Sequence, residues 1–294
     1  MIYINFRSDL ALECREPLDL GKHRGLRCNE QDLEGCRLTR VEVLDEAGAK
    51  AIGKPVGTYV TVELPPLEEY AEVYGPGMEC VARELRRMLP ARGPVLVAGL
   101  GNSDMTPDAL GPRCCALVLA TRHLAAELAK SAGLGALRPV SCMTPGVLGR
   151  TGMESAELVA AAVRATKPAA VLTVDALAAR KLSRLGCTIQ LGDSGIVPGS
   201  GVGNARQELS RMTLGVPVIS MGVPTVVDAA TLVADLAESR EQIAVNAAAE
   251  SANMMVTPRE VDLLIDRAAK LCAMAINRAL QPHLSIEDFL ELVE

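Results

Sequence analysis

Apolar positions along this chain follow three patterns. Residues 95–100 (Val-Leu-Val-Ala-Gly-Leu) and 169–175 (Ala-Ala-Val-Leu-Thr-Val-Asp) are apolar without alternation, as expected of strands covered on both faces. Residues 38–44 and 58–64 alternate and predict half-buried strands, the second ended by Pro65 and Pro66. Val81, Leu85 and Leu89 recur at helical spacing.

In order, the chain is polar and irregular to about residue 35, then predicts a strand over 38–44, a short helix over 46–52 and a strand over 58–64, a β-α-β unit with a short connection. A helix over 69–88 is interrupted at Gly75, Pro76 and Gly77. The strand from Pro94 runs through Gly99 and Gly101 into a long helix over 108–132, with Thr106 as N-cap and Pro107 at its first position. A glycine-rich loop over 143–152, a helix over 154–166, the strand ending at Asp175, a short helix over 181–185, a strand over 188–191 and a glycine loop over 192–203 follow. A strand over 216–221 and a helix over 225–236 complete an alternation from 94 to 238. That alternation predicts an α/β fold: a doubly wound, mostly parallel sheet with helices on both faces and right-handed crossovers. Residues from 239 onward are all helical in pattern (241–253, 257–279 after a Thr-Pro cap, 285–293 after a Ser-x-x-Asp cap), a tail expected to pack on the same domain.

The 294 residues are 49% hydrophobic but only 2% aromatic, with no Trp, so the core must be built from Ala, Val, Leu, Ile and Met. Base stacking on aromatic side chains is therefore disfavoured as a main activity. A net charge of −6 without a large basic block disfavours direct nucleic-acid binding. The first residues are interrupted by charge too early for a secretory signal and no apolar run reaches spanning length, so a cytoplasmic protein without a membrane partner is expected. Nine scattered cysteines, none in a Cys-x-x-Cys spacing, predict reduced thiols and no structural zinc.

The chemistry-bearing pattern is a pair of aspartates at predicted strand ends, Asp108 after a turn and Asp175 directly. Carboxyl ends of parallel strands are where open α/β sheets carry their sites. Two carboxylates that share a site cannot both ionise cheaply, so the pair can supply a base to activate water and an acid for a leaving amine. The competing reading makes Asp108 a first-turn helix acid and Asp175 a strand-end hydrogen bonder. Asp104, Asp193 and Asp228 also fall near predicted strand ends, where turn or capping roles are the default. Arg180 lies five residues beyond Asp175 and can pair with a carboxylate. Neither Gly99-Leu-Gly101 nor Gly199-Ser-Gly-Val-Gly203 completes a dinucleotide fingerprint, and a backbone cradle for a peptide or oxyanion fits them better. No Gly-x-Ser-x-Gly elbow follows a strand, which disfavours a serine hydrolase.

Longer strings carry a resemblance. Arg7-Ser-Asp-Leu-Ala-Leu-Glu13, Gly53-Lys-Pro-Val-Gly-Thr-Tyr59, Gly99-Leu-Gly-Asn102, Thr106-Pro-Asp-Ala-Leu-Gly-Pro112 and Thr121-Arg-His123 resemble the germination protease family of spore-forming bacteria, in that order along the chain. So do Arg138-Pro-Val-Ser141, Pro145-Gly-Val147, Asp175-Ala-Leu-Ala-Ala-Arg180, Pro198-Gly-Ser-Gly-Val-Gly-Asn204 and Gly222-Val-Pro-Thr-Val-Val-Asp-Ala229, and the matches cover about residues 7 to 238.

The resemblance implies an endopeptidase that begins degradation of small acid-soluble spore proteins at germination, made in the forespore as a self-processing zymogen and working as a homotetramer in the spore core. Family cleavage between an acidic and an apolar residue maps to Asp9-Leu10, which makes 1–9 a pro-segment, 10–238 an α/β peptidase domain with a β-rich extension over about 10–92, and 239–294 the helical tail. The family is similar in fold to hydrogenase maturation proteases, whose two acids correspond to Asp108 and Asp175. Those relatives add a histidine as a nickel ligand. His123, expected inside the helix after Asp108, does not match it, so neither metal nor cofactor is expected. The implied roles are catalysis by Asp108 and Asp175, with Asn102, Gly101, Arg180 and Asp193 supporting substrate or oxyanion. Two other readings stand beside it: a non-catalytic α/β protein that binds spore proteins or a nucleotide through its glycine loops, and a metal-dependent peptidase like the hydrogenase relatives.

Overall fold

In the computed structural model, Val95–Gly99 is a strand whose five residues are all buried, and its successive side chains enter different cores. Val95 and Val97 join the larger core, while Leu96, Ala98 and Leu100 join a second one on the opposite face. This two-sided burial explains the unbroken apolar run. The structure describes residues 8–15, 25–33, 35–69, 73–124, 131, 133–200, 206–236 and 254–293.

Among the described residues, nine strands form one sheet: β1 Leu26–Leu33, β2 Cys36–Val43, β3 Gly57–Glu63, β4 Val95–Gly99, β5 Val140–Met143, β6 Ala170–Ala179, β7 Thr188–Gly192, β8 Val218–Asp228 and β9 Met255–Val256. Their order is β1-β2-β3-β7-β8-β6-β4-β5, with β9 on β8. The strands β5-β4-β6-β8 are mutually parallel and hold the doubly wound part of the sheet. β7 turns antiparallel to β8 and joins it to the β1-β2-β3 extension, so the sheet as a whole is mixed.

The α-helices are α1 Ala11–Arg15, α2 Glu46–Ile52, α3 Pro76–Met88, α4 Leu110–Ala116, α5 Leu148–Thr151, α6 Ser155–Thr166, α7 Arg211–Leu214, α8 Ala229–Leu236, α9 Val261–Leu280 and α10 Ile286–Val293. α3, α4 and α9 cover one face of the sheet and α6 the other. The C-terminal α9 is part of the main core, with thirteen buried residues from Leu264 to Leu280. Its Asn277 and Gln281, one turn apart, each grip backbone from the α/β region. Asn277 accepts from Leu119 N at 2.9 Å and donates to Leu117 O at 3.1 Å, and Gln281 accepts from Arg138 N at 2.9 Å and donates to Arg138 O at 2.7 Å.

Several elements depart from the sequence pattern. The polar stretch before residue 35 contains β1, an edge strand whose exposed charged residues are tolerated because only one side of it is paired. The helix expected over 69–88 is not interrupted at Pro76 but starts there, with Gly75 as N-cap; residues 70–72 lie outside the described set. The long helix expected over 108–132 is instead a 3₁₀ turn, Thr106–Asp108, capped by Met105, then the short α4. Thr106 thus sits inside the turn and His123 on an exposed turn beyond the helix. Of that expected helix, 125–130 and 132 lie outside the described residues. The loop expected over 143–152 takes in the end of β5 and the single turn α5.

β6 does not stop at Asp175 but continues to Ala179, and β8 runs through Pro224 to Asp228 before α8 begins. The register explains why a proline is tolerated there: Leu177 faces Pro224 and Ala178 faces Val226, so Thr225 is the extra residue of a bulge. At the tail, α9 begins at Val261 and not Thr257, because Met255 and Val256 pair with β8. The helix expected over 241–253 lies outside the described residues. Ser285 and Asp288 form the expected reciprocal cap of α10, with bonds of 2.7 and 3.1 Å.

Candidate active site

The site lies on the α6 face of the sheet, where the β4–β6 ladder ends. Gly99 pairs with Val174, and the next residue of β6 is Asp175. Leu172 and Val174 enter the main core, so by strand alternation Asp175 points to the opposite face. The chain leaving β4 turns back through Gly101, whose φ of +107° suits only glycine and where a Cβ would lie 2.1 Å from the Asp108 carbonyl oxygen. The loop closes on itself: Asn102 N bonds both the Asp108 carbonyl at 3.0 Å and its Oδ2 at 2.9 Å, and Asp108 N bonds Met105 O at 2.8 Å. Behind it, Thr225 donates its hydroxyl to Pro107 O at 2.7 Å, so the bulge of β8 braces the turn that carries Asp108.

Asp108 and Asp175 thus come from different segments to line one cavity of about 700 Å³. Asp175 is 6% exposed and accepts from Ala176 N at 3.0 Å. Burial pushes its carboxyl well above the ordinary range, and the charges of Asp108 and Asp9 push the same way. Asp108 is half-buried, and burial raises its carboxyl too, opposed by the Asn102 N–H bond. Burial of both thus disfavours two full charges in the one cavity.

A third carboxyl enters the cavity from the N-terminus. Asp9 N donates to Ala178 O at 2.9 Å, Ala178 N donates to Asp9 Oδ2 at 2.9 Å, and Ser200 Oγ donates to Asp9 Oδ1 at 3.2 Å. Leu10 is fully buried with Leu177, Ala179, Leu185 and Val227. Lys54 Nζ reaches Ser8 O at 3.1 Å. Glu13 holds the next turn in place by accepting from Ser8 Oγ, from Arg180 N at 2.7 Å and from Lys181 N at 2.9 Å.

Of the residues singled out in the sequence, Asp108, Asp175, Gly101, Asn102 and Asp9 line the cavity. Arg180 and Asp193 are not among its lining residues. Asp193 accepts from Thr58 N at 2.6 Å and so fastens the start of β3. Asp104 lies on the exposed turn and pairs with Arg150 at 2.5 Å. Gln190, Lys54, Ala178 and Thr225 were not legible as site residues, because they come from separate elements and only pairing across the sheet brings them to the cavity. Among the described residues, no group of three or more His, Cys, Asp or Glu side chains is arranged to hold a metal ion.

Comparison with known proteins gives a consistent relationship. The chain is 41% identical over its whole length to a germination protease of Caldanaerobacter subterraneus subsp. tengcongensis, 99% of which is covered. It is 39% identical to that of Clostridium tetani (97% of this chain, 98% of the relative) and 34% identical to that of Priestia megaterium (96% and 95%). Among solved structures, a NiFe hydrogenase maturation protease from Thermococcus kodakarensis matches 66% of this chain and 98% of its own, at 16% identity and a TM-score of 0.37. The germination protease family model matches residues 10–239, a span that takes in both cavity aspartates, Asp108 and Asp175, and begins at Leu10. On these grounds the chain belongs to the germination protease family of peptidases.

Proposed function

We propose that this protein is an aspartic-type endopeptidase that opens the degradation of small acid-soluble spore proteins at germination, with Asp108 and Asp175 as its catalytic pair. The observation that carries the mechanism is the convergence of these two carboxyls, one of them buried, on one cavity. Family membership supports the protein substrate and the spore setting.

In this mechanism the pair holds one proton. The ionised carboxylate takes a proton from water as the water oxygen attacks the scissile carbonyl. The protonated partner then donates to the amide nitrogen as the C–N bond breaks, so one acid and one amine leave and the pair returns to a single shared proton. Asn102 and Gly101 hold Asp108 in register for this task through the closed 102–108 loop.

The protein is made as a zymogen in the forespore and cuts itself between Asp9 and Leu10. The placement of Asp9 within the cavity of the two acids supports this reading. By the family resemblance the working form is a homotetramer, which sedimentation analysis checks. The decisive test is Asp108→Asn and Asp175→Asn in the full-length chain. Both are expected to abolish loss of residues 1–9, seen by intact mass, and cleavage of a small acid-soluble spore protein. Full activity in either variant sinks the assignment.

A further inference from the structure

Gln190 lies across the sheet from Asp175 with one residue between them. The register pairs Gln190 with Gly222 and Gly222 with Asp175, so the three sit in one row of β7, β8 and β6. Ile189 and Leu191 enter the main core, so Gln190 faces the cavity side, as Asp175 does. Two strand spacings separate the outer members of the row by about 10 Å. Gly222 itself puts no side chain into that row, and the Leu177 side chain lies over it, 2.6 Å from where a Cβ would stand.

This chain's own N-terminal stretch packs there, with Leu10 in one apolar cluster with Leu177. The Gln190 carboxamide holds that stretch at two points: Nε2 donates to Asp9 O at 2.9 Å and Oε1 accepts from Ala11 N at 2.7 Å. A backbone carbonyl can only accept and a backbone N–H can only donate, so these partners dictate the orientation of the amide. One side chain therefore spans Leu10 and engages the carbonyl before it and the N–H after it, much as a neighbouring strand would. On the other side, Ala178 holds Asp9 by backbone and carboxylate together.

We infer that Gln190 is the substrate-positioning residue of this peptidase: its carboxamide clamps the peptide across the bond to be cut, donating to the scissile carbonyl and accepting from the N–H one residue beyond. The inference rests on the reading above that Asp9-Leu10 is a cleaved bond. The donor at 2.9 Å from the carbonyl also supports the oxyanion that forms there when water adds, a role for which donors 2.7–3.1 Å away are suited. The acid before the bond is read by the uncharged Ala178 N–H and Ser200 hydroxyl, and the residue after it by the apolar pocket that holds Leu10.

The test compares Gln190→Glu, which keeps the acceptor for Ala11 N–H and removes the donor to the Asp9 carbonyl, with Gln190→Ala, which removes both. In the full-length chain both are expected to slow loss of residues 1–9 by about 10²-fold to 10³-fold, the usual cost of one such donor. In an uncleaved Asp108→Asn background, hydrogen exchange of the Ala11 amide should stay slow in Gln190→Glu and become fast in Gln190→Ala. With processed protein and a synthetic peptide containing one Asp-Leu bond, Gln190→Glu should lower kcat by a similar factor with KM little changed. Processing at the wild-type rate in Gln190→Glu overturns the inference. So does an unchanged kcat on the peptide, which would make Gln190 only an anchor for the N-terminal segment. A wild-type chain that never loses residues 1–9 overturns the cleavage reading instead. The Ala11 exchange then still decides the clamp, and fast exchange in the Gln190 background overturns it.

Discussion

Thr225 donates its hydroxyl to the Pro107 carbonyl at 2.7 Å, which ties the extra residue of the β8 bulge to the turn bearing Asp108. Thr225 is fully buried. Thr225→Val keeps the shape and removes the donor, at an expected cost of about 1–2 kcal/mol. A turn released by even a fraction of an ångström should also slow cleavage, by about tenfold or more. Urea unfolding and processing rate measured on the same variant check both parts; an unchanged rate would show that the bulge does not position Asp108.

Asp175 sets the response to pH. Its carboxyl is raised first by burial and then by Asp108 and Asp9, so its folded value lies above that of the unfolded chain. Ionising it therefore costs folding free energy: the penalty is absent below the ordinary value of 3.8 and grows as pH rises through the folded value. Asp175→Asn should be more stable than the wild type at neutral pH, by about 2–4 °C in Tm for each kcal/mol relieved, and lose that advantage in acid. Its activity should be abolished, a loss of at least about 10²-fold to 10⁴-fold. In the wild type, cleavage should decline as pH rises past the value at which the pair loses its shared proton. Thermal melts and rates across pH test this, and a wild type more stable than Asp175→Asn at neutral pH would contradict it.

Gly101→Ala attacks the loop geometry without removing a polar group. The added Cβ would meet the Asp108 carbonyl oxygen at 2.1 Å with φ at +107°. The strain should cost about 1–3 kcal/mol and open the Asn102 to Asp108 closure. Activity should fall much further than stability, a split visible by comparing kcat with the circular-dichroism melt.

Asn277→Ala tests the helical tail. It leaves Leu117 O and Leu119 N without their side-chain partner beneath a packed helix. Two such losses should cost about 2–4 kcal/mol. The kcat of the folded fraction should stay near that of the wild type, since Asn277 does not line the cavity. A change in kcat without a change in stability would assign the tail a different role.

Exhaustive chelation should leave cleavage unchanged if the two carboxyls and water suffice for the chemistry. Loss of activity on chelation, restored by one added divalent metal, would favour the metal-dependent alternative.

Much of the architecture was legible because burial leaves a local signature. The all-apolar run at 95–100 marks a strand sandwiched between two cores, and Glu46–Ile52 and Ser155–Thr166 fall where the sequence predicts helices. β1 was not legible, because an edge strand with an exposed face carries no apolar rhythm and is held by the ladder to β2. The run from Asp175 to Ala179 and the passage of β8 through Pro224 were also hidden, since the bulge that permits them is a property of two strands together. The pair Asp108 and Asp175 could be named from strand-end chemistry and the family strings, but their shared cavity could not.

By itself, the sequence determined that an aromatic-poor apolar core would be built as an α/β sheet, that acids would stand at the ends of two apolar strands, and that the chain would resemble one peptidase family. Those properties depend on residue type and local spacing, which the linear chain records directly. Tertiary structure alone decided which acids share a cavity, that Thr225 braces the turn of one of them, that Asp9 lines the same cavity, and that Gln190 bonds the backbone of Asp9 and Ala11. These are contacts between residues up to 181 positions apart, and only strand order and register bring such residues within hydrogen-bonding distance.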